Sequence, residues 1–215
     1  MSESIVKHAV VTAGILTVFT VVFTALLAYT NSTTKAPIAA TEAAARMALF
    51  RQILPEELHD NDMLHDAVKV PAGGDLANRE DTMMYRARLQ GAPSALILET
   101  TAPDGYSGDI KLLLAIKANG ELAGVRVIAH KETPGLGDYI DITHSDWIKG
   151  FNGKSLAYPS EEGWHVKKDG GKFDYVTGAT ITPRAVVKAV HKALNYASKH
   201  QQEIFAAAAT KEEKQ

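Results

Sequence analysis

Residues 110–129 read I-K-L-L-L-A-I-K-A-N-G-E-L-A-G-V-R-V-I-A, and this segment decides the class of fold. Two apolar-rich runs, 110–117 and 122–129, flank the pair Asn119-Gly120. Asn-Gly tolerates the positive φ angles of a type I′ turn, whose twist matches that of two paired strands. The segment is therefore predicted to form an antiparallel β-hairpin closed by a type I′ turn.

Strand and helix patterns lie on both sides of this hairpin. Upstream, apolar residues alternate with polar ones such as Arg86 from about Met84, which predicts a half-buried strand, and residues 95–100 predict another. Downstream, Thr182 and Pro183 fit the N-cap and the first residue of a helix. Four apolar residues then recur at helical spacing: Val187, Val190, Leu194 and Ala197. Antiparallel strands with a C-terminal helix against them predict an α+β fold.

The composition limits the function. The chain has 215 residues, 46% of them hydrophobic and 22% charged, which is enough for one ordinary domain and an appendage. Its net charge of -2 gives no sign of a nucleic-acid partner. Because the chain has no cysteine, it can form no disulfide, thiolate metal site or iron–sulfur ligation. Any redox chemistry must therefore come from an organic cofactor.

An uncharged apolar segment at residues 9–29 is predicted to be a single transmembrane helix. At about 1.5 Å per residue it reaches roughly 30 Å, the thickness of the hydrocarbon core of a bilayer. A cleaved signal peptide is the alternative, but the apolar regions of signal peptides are only about 7–15 residues long. The charges nearby, Lys7 before the segment and Lys35 and Arg46 after it, do not define its orientation.

Residues 30–83 are interpreted as a linker and a helical connection. A polar, turn-prone stretch at 31–37 is followed by an alanine-rich helix that is predicted to begin at Thr41 and end near Leu54. Residues 56–80 show no clear periodicity and are interpreted as connecting structure at the edge of the domain.

The residues before the predicted C-terminal helix form a candidate anion-binding site. Residues 174–180 read D-Y-V-T-G-A-T. A helix start has unpaired backbone N–H groups and a dipole that favours an anion. Gly178 allows the close backbone approach that a bound phosphate requires. The pattern therefore places the Thr180 hydroxyl beside a phosphate site.

Asp174, Thr177, Gly178, Ala179 and Thr180 resemble the covalent flavinylation motif of the FMN-binding domain family. In that family the last threonine holds FMN through a phosphoester, which implies that Thr180 is the attachment point. The family includes the G subunit of the Rnf-type ion-translocating oxidoreductase and the C subunit of the sodium-translocating NADH:quinone reductase. The compact chain, with a short segment between anchor and domain, resembles the Rnf-type branch more closely.

A second loop and a turn also resemble the family. Residues 130–137 read H-K-E-T-P-G-L-G, residues 105–108 read G-Y-S-G, and in the family an E-T-P-G-L-G loop contacts the isoalloxazine ring. The resemblance implies four flavin contacts in the loop: Glu132, Thr133, Gly135 and Leu136. Pro134 stiffens the loop, glycine backbone can approach a flat ligand, and the side chains offer polar and apolar contacts. A structural turn between strand and helix is the alternative.

The resemblance implies an electron-relay subunit of a membrane complex that couples electron transfer to ion movement. It implies a cytoplasmic tail at 1–8, with the FMN-binding domain at 84–205 on the periplasmic side of a bacterial inner membrane; a frayed tail is expected at 206–215. The implied partners are the other subunits, the lipid bilayer and a flavin transferase that modifies Thr180, since an alkyl hydroxyl is a poor nucleophile without a base. No independent active site, catalytic residue or metal ligand is expected.

Other interpretations stay open. The alternatives are a membrane-anchored assembly or adaptor domain in which T-G-A-T merely caps a helix, a stand-alone anchored flavin reductase, and the C subunit of the quinone reductase. His59 and His65 fall at no familiar zinc spacing, and the chain has no phosphate-loop or dinucleotide-binding glycine motif. Lys154 is interpreted as an exposed loop lysine, with a phosphate contact as the alternative. Three residues are predicted to form a helical packing face: Trp147, Ile148 and Phe151.

Overall fold

The computed structural model describes residues 2–210. The chain divides into two units, one ending at Arg46 and one beginning at Met47. Residue 1 of the predicted N-terminal tail and residues 211–215 of the predicted C-terminal tail lie outside the described residues. Within the described residues the α-helices and strands are α1 Ser2–Ile53, β1 Ala67–Val70, β2 Thr82–Leu89, β3 Ala92–Gly105, β4 Gly108–Lys117, β5 Leu122–Ala129 and α2 Ile181–Ala206.

The first unit consists of helix α1 up to Arg46. The side chains of residues 9–29 are exposed on all sides of the helix, and the segment is long and apolar enough to cross a membrane. The hydroxyls of Thr17 and Thr20 donate to carbonyls four residues earlier, each at 2.8 Å. These hydroxyls therefore need no partner outside the helix.

The predicted linker at 31–37 and the predicted helix start at Thr41 are both wrong, because α1 continues through this stretch. The hydroxyls of Thr33 and Thr34 donate to carbonyls four residues earlier, and Pro37 lies inside the helix. The Thr41 hydroxyl donates to the Pro37 carbonyl at 2.9 Å and caps no helix. Local polarity predicted a turn, but hydroxyl groups that bond back to a preceding carbonyl are satisfied inside a helix as well.

The second unit is built around one five-stranded antiparallel sheet, with the strands in the order β1-β2-β3-β4-β5. The predicted hairpin is confirmed as β4 and β5, and the predicted α+β class is confirmed. The range 30–83 differs from its interpretation as a linker, because it contains β1 and the start of β2. With 4 residues, β1 is too short to show a strand period in the sequence.

Both faces of the sheet are buried. On one face the strands pack against α2 in a cluster that includes Leu112, Leu114 and Val190. On the other face the last turns of α1 bring Phe50 to a second cluster, which includes Leu113. Successive strand residues point to opposite faces, so a sheet covered on both sides accommodates consecutive leucines. The predicted apolar face of α2 is confirmed, since its four residues are buried: Val187, Val190, Leu194 and Ala197.

The turn between β4 and β5 is not the predicted type I′ turn. Gly120 has φ +85°, and its N–H donates to the Lys117 carbonyl at 2.8 Å, whereas Asn119 has no positive φ. This geometry is a type I turn followed by a glycine bulge. Two successive positive φ angles occur instead at Gln90 and Gly91, between β2 and β3. The two positive φ angles of a type I′ turn therefore occur in the β2–β3 hairpin, whose turn residues, Gln90 and Gly91, are a weaker sequence signal than Asn119-Gly120.

One side chain predicted to face solvent is buried: Arg86 of β2 is 2% exposed. Its guanidinium forms an ion pair with Asp66 and donates to the carbonyls of Ile204 and Ala207 at 2.9 and 2.5 Å. Carbonyls at the end of a helix have no partner within it. Arg86 therefore fastens the C-terminal end of α2 to the sheet.

Gly124 of β5 lies close to the end of α1. A Cβ at this position would be 2.8 Å from both the Cα and the carbonyl oxygen of Ile53. Since these are backbone atoms, we expect Gly124→Ala to lower the free energy of unfolding by about 1–3 kcal/mol through overpacking. Gly150→Ala is the control, because a Cβ there would meet no atom of the structurally described chain within 4 Å beyond its two adjoining residues. Equal thermal unfolding midpoints for the two variants, measured on the full chain in detergent, would contradict the prediction.

Candidate functional site

Helix α2 begins at Ile181, so Thr180 occupies the N-cap position. Its φ and ψ are -83° and -24°, and its side chain makes no capping hydrogen bond. The predicted N-cap at Thr182 and the predicted helix start at Pro183 are therefore wrong by two residues. The half-buried Thr180 side chain lies beside the N–H groups of the first helical turn, and its hydroxyl is not used as a cap.

A tight turn precedes Thr180. The Ala179 N–H donates to the Val176 carbonyl at 3.0 Å, and Gly178 has φ +93°. A type II turn requires a positive φ at its third residue, which glycine adopts without strain. Thr177 and Gly178 are exposed, whereas Ala179 is buried. The turn therefore displays the middle of the motif to solvent.

Asp174, the first residue of the motif, has two partners. Its carboxylate pairs with the Lys167 ammonium, and its carbonyl accepts a hydrogen bond from the indole N–H of Trp147 at 2.8 Å. Trp147 also makes an edge-to-face contact with Tyr139, with ring centroids 5.6 Å apart. Sequence reasoning treated Trp147 only as a packing residue, because a contact between positions 27 residues apart leaves no local signal.

The loop after β5 folds into a turn whose outer residues are exposed. The N–H groups of Leu136 and Gly137 both donate to the Thr133 carbonyl at 3.1 Å, and Gly135 has φ +75°. Thr133, Gly135 and Leu136 are exposed, and Leu136 exposes 50% of its surface. These three predicted contacts therefore lie where a ligand can meet them.

Glu132, the fourth predicted contact in this loop, is only 4% exposed. Its Oε1 accepts a hydrogen bond from the Ser107 N–H at 3.1 Å, and its Oε2 accepts one from the Thr182 hydroxyl at 2.5 Å. Ser107 lies between β3 and β4, and Thr182 lies in the first turn of α2. The carboxylate therefore brings together the loop at 130–137, the turn at 105–108 and the start of α2.

Exposed apolar side chains lie on these same segments. Four of them are Tyr106, Leu136, Val176 and Ile181. Tyr106 and Ile181 each precede a residue that donates to Glu132. Covering exposed apolar groups with a largely apolar ligand lowers the free energy, because their surface leaves water. Sequence reasoning singled out only Leu136 as an apolar contact, because scattered apolar residues in loops have no period.

Lys154 lies at the other end of the β4–β5 hairpin. Its ammonium is 4.4 Å from the ring centroid of Tyr158, and its carbonyl accepts the N–H of Leu122, the first residue of β5. The turn at 105–108 is at the opposite end of β4, about 30 Å away at the rise of an extended strand. This placement argues against a phosphate contact, although Lys154 is half-buried and not exposed as predicted. The predicted packing residues lie on the 3-10 helix Asp146–Phe151, with Ile148 and Phe151 buried and Trp147 half-buried.

Burial raises the pKa of Tyr139 to about 12, and a weaker interaction with the Val176 backbone offsets part of the effect. An unfolded chain releases the tyrosine proton near pH 10, so stability falls as the pH rises from about 10 to 12. Phenylalanine has no proton to lose, so Tyr139→Phe should lose less stability at high pH. Because the ring is partly exposed, we expect the difference from the wild type to be about 1 kcal/mol or less at about pH 11.

Thermal unfolding of the full chain at about pH 8 and about pH 11 checks this expectation. The midpoint should drop less in Tyr139→Phe than in the wild type. Tyr158→Phe is the control, since Tyr158 is 65% exposed. If both variants lost as much as the wild type, Tyr139 would not be the group that titrates.

Comparison with known proteins identifies the family. Residues 105–195 match the FMN-binding domain, and residues 1–53 match the RnfG N-terminal region. The G subunit of the ion-translocating oxidoreductase complex of Pseudomonas aeruginosa is 48% identical over 194 residues, which cover 90% of this chain and 91% of that protein. The protein of the same name from Vibrio cholerae serotype O1 is 46% identical over 190 residues, which cover 88% of this chain and 90% of that protein. The chain belongs to the RnfG family, the G subunits of ion-translocating oxidoreductase complexes.

The matches in this RnfG family member correspond to parts of the structure. The RnfG N-terminal match ends at residue 53, the last residue of α1. The crystal structure of Shewanella oneidensis NqrC is similar with a TM-score of 0.47 and 23% identity, covering 69% of this chain and 76% of that one. The FMN-binding match contains the turn at 105–108, the loop at 130–137 and Thr180. The resemblance to the FMN-binding domain family is therefore confirmed.

Proposed function

We propose that this RnfG family member relays electrons within a membrane complex that couples electron transfer to ion translocation, and that it carries FMN as a phosphoester on Thr180. The observation that carries the proposal is the N-cap position of Thr180, whose side chain makes no capping bond at the start of α2. The names of the relatives support the complex, and the FMN-binding match supports the cofactor.

The residues at the start of α2 fit the phosphate of FMN. Backbone N–H groups of the first turn and the helix dipole attract an anion. Among the described residues, apart from the two adjoining ones, no atom lies within 4 Å of where a Cβ on Gly178 would be, so a phosphate can approach the backbone there. Thr177, Gly178 and Ala179 would then line the phosphate, next to the ester at Thr180.

The exposed residues around this helix start fit the ring system of FMN. Leu136 and Tyr106 offer apolar surface, while Thr133 and the backbone at Gly135 offer polar groups for the ring edge. When bound, FMN supplies the capacity to exchange one or two electrons, and the protein sets its position and its exposure to water. The carboxylate of Glu132 accepts hydrogen bonds from the Ser107 N–H and the Thr182 hydroxyl inside the protein.

Attachment requires the Thr180 oxygen to attack the flavin-side phosphorus of FAD. The new O–P bond replaces a P–O bond of the pyrophosphate, AMP leaves, and the hydroxyl proton passes to a base. We assign the base, and a metal ion that stabilises the leaving phosphate, to a separate flavin transferase. Asp174, Thr177 and Gly178 are exposed, so such an enzyme can contact this part of the loop.

Helix α1 is proposed as a single-pass anchor in a bacterial inner membrane, with the second unit on the periplasmic side. The length and composition of α1 support the anchor. The family resemblance supports the orientation, on which the few flanking charges carry no information. Other subunits of the complex are the proposed donor and acceptor of electrons, and no independent active site is assigned to this chain.

Covalent flavin separates this proposal from an adaptor domain without a cofactor. The full chain, made in its native host or together with a flavin transferase, should give a band that fluoresces under ultraviolet light in a denaturing gel. Its intact mass should include FMN, and protein made without the transferase is the dark control. A dark band and the mass of the bare polypeptide from a host that contains the transferase would overturn the assignment. Purification of the full chain in mild detergent should bring down other subunits of the proposed complex, and their absence would argue against membership of a complex.

A further inference from the structure

The carboxylate of Glu132 is the point where three segments of the site meet. Its donors are the Ser107 N–H and the Thr182 hydroxyl, 25 and 50 positions away in the chain. Glu132 is 4% exposed and Thr182 is 1% exposed. Hydrogen bonds to a charged acceptor are among the stronger ones, and burial protects them from competition with water.

Two glycines leave the room that this carboxylate occupies. A Cβ on Gly105 would lie 2.9 Å from Oε1 of Glu132, and a Cβ on Gly137 would lie 2.7 Å from Oε2. The Cβ on Gly137 would also lie 2.9 Å from the Thr182 hydroxyl oxygen. Side chains at 105 and 137 would therefore crowd the carboxylate, and at 105 a Cβ would also lie 2.2 Å from the Gly108 carbonyl oxygen.

Each donor lies within two residues of one proposed to hold FMN. Thr182 lies in the first turn of α2, two residues after Thr180, and the backbone hydrogen bonds of a helix make it stiff over this length. Ser107 directly follows Tyr106, and the carboxylate itself belongs to the residue before Thr133. The two hydrogen bonds therefore constrain all three segments at once, together with the residues proposed to hold FMN on them.

We propose that Glu132 is a positioning residue, whose carboxylate holds the turn at 105–108, the loop at 130–137 and the start of α2 in one arrangement that seats and shields the flavin ring on Thr180. The inference rests on the proposed function for the cofactor, but the arrangement belongs to the bare polypeptide. Glu132 is 4% exposed, so its carboxylate offers almost no surface to a ring that lies over the site.

Thr182→Val tests the arrangement before any flavin is attached, because it removes the hydroxyl and keeps the branched shape. In the full chain made without the transferase, amide hydrogen exchange should rise by about tenfold or more at both 105–108 and 130–137. Thr182→Ser keeps the donor and should exchange like the wild type. Thr100→Val is the matched control. The Thr100 hydroxyl, on β3, is buried and donates to the Leu76 carbonyl at 2.9 Å. Removing this hydroxyl should leave exchange at both segments unchanged.

The flavin-loaded protein gives a second readout. Thr182→Val should carry as much covalent flavin in a denaturing gel as the wild type, because Thr180 and the exposed part of the motif are intact. In the native protein, quenching of flavin fluorescence by iodide should be roughly two- to fivefold stronger, because the ring is less shielded when its supporting segments open. Thr182→Ala, which removes the same hydroxyl without adding a methyl group, should show the same pair of effects.

Exchange at 105–108 and 130–137 that matches the wild type in a folded Thr182 variant would overturn the positioning role. Iodide quenching equal to that of the wild type in the same variant would also overturn it. A wild-type protein that carries no flavin would instead overturn the proposed function, and the exchange experiment would still decide whether Glu132 holds the three segments. The two failures are therefore distinguishable.

Discussion

Replacing Thr180 by alanine is expected to abolish the covalent flavin and to leave the fold intact. The proposed phosphoester needs a side-chain oxygen at this position, and alanine has none. The Thr180 side chain makes no capping bond, so its truncation should cost α2 little stability. We expect a dark band in a denaturing gel, together with a thermal unfolding midpoint for the bare protein that matches the wild type.

Two neighbouring substitutions sharpen this test. Thr180→Ser keeps a hydroxyl at the attachment point and should keep the fluorescent band. Thr177→Ala deletes an exposed hydroxyl three residues earlier and should reduce the extent of flavinylation without abolishing it. A fluorescent band from Thr180→Ala would contradict the prediction, and a dark band from Thr177→Ala alongside it would move the attachment point to Thr177.

The second large effect is expected for Arg86→Met, which should lower the free energy of unfolding by about 3 kcal/mol. Arg86 is buried, and methionine would leave the carbonyls of Ile204 and Ala207 without their guanidinium donor. Removing one partner of a buried ion pair costs about 3–5 kcal/mol, and the lower end applies because Asp66 keeps Arg88 as a partner. Such a loss is a large part of the roughly 5–15 kcal/mol that stabilises a native protein.

Arg79→Met is the matched control for Arg86→Met. Arg79 pairs with Asp109 through a hydrogen bond of 2.7 Å, but its side chain is largely exposed, so its loss should change stability little. Urea unfolding of the full chain in detergent, followed by circular dichroism, compares the two variants. If Arg86→Met unfolded at the same urea concentration as Arg79→Met, the proposed fastening of α2 to the sheet would be wrong.

Local sequence patterns were sufficient where neighbouring residues decide the structure. The hairpin of β4 and β5 was predictable because both runs and the turn lie within one short segment. The apolar face of α2 was predictable from its period. The place of Thr180 at the start of that helix was predictable from a motif of seven consecutive residues. At 31–37, polar composition alone misled, since the hydroxyls there bond back within the helix.

The roles of Glu132, Trp147 and Arg86 were not predictable in this way. Glu132 was expected to face the ligand, Trp147 only to pack, and Arg86 to lie in water. The structure engages all three in hydrogen bonds with residues 50, 27 and 118 positions away, respectively. A local period contains no information about a partner at that distance.

By itself, the sequence determined the α+β class, the apolar helical segment at 9–29 and the threonine at the start of α2, because local patterns of neighbouring residues predict each of them. Only the tertiary structure decided which polar groups became buried and which stayed on the surface. The physical reason is that a buried charged or polar group must find its hydrogen-bond partners inside the protein. For Glu132 and Arg86, those partners were supplied by the packing of α2 and the loops against the sheet.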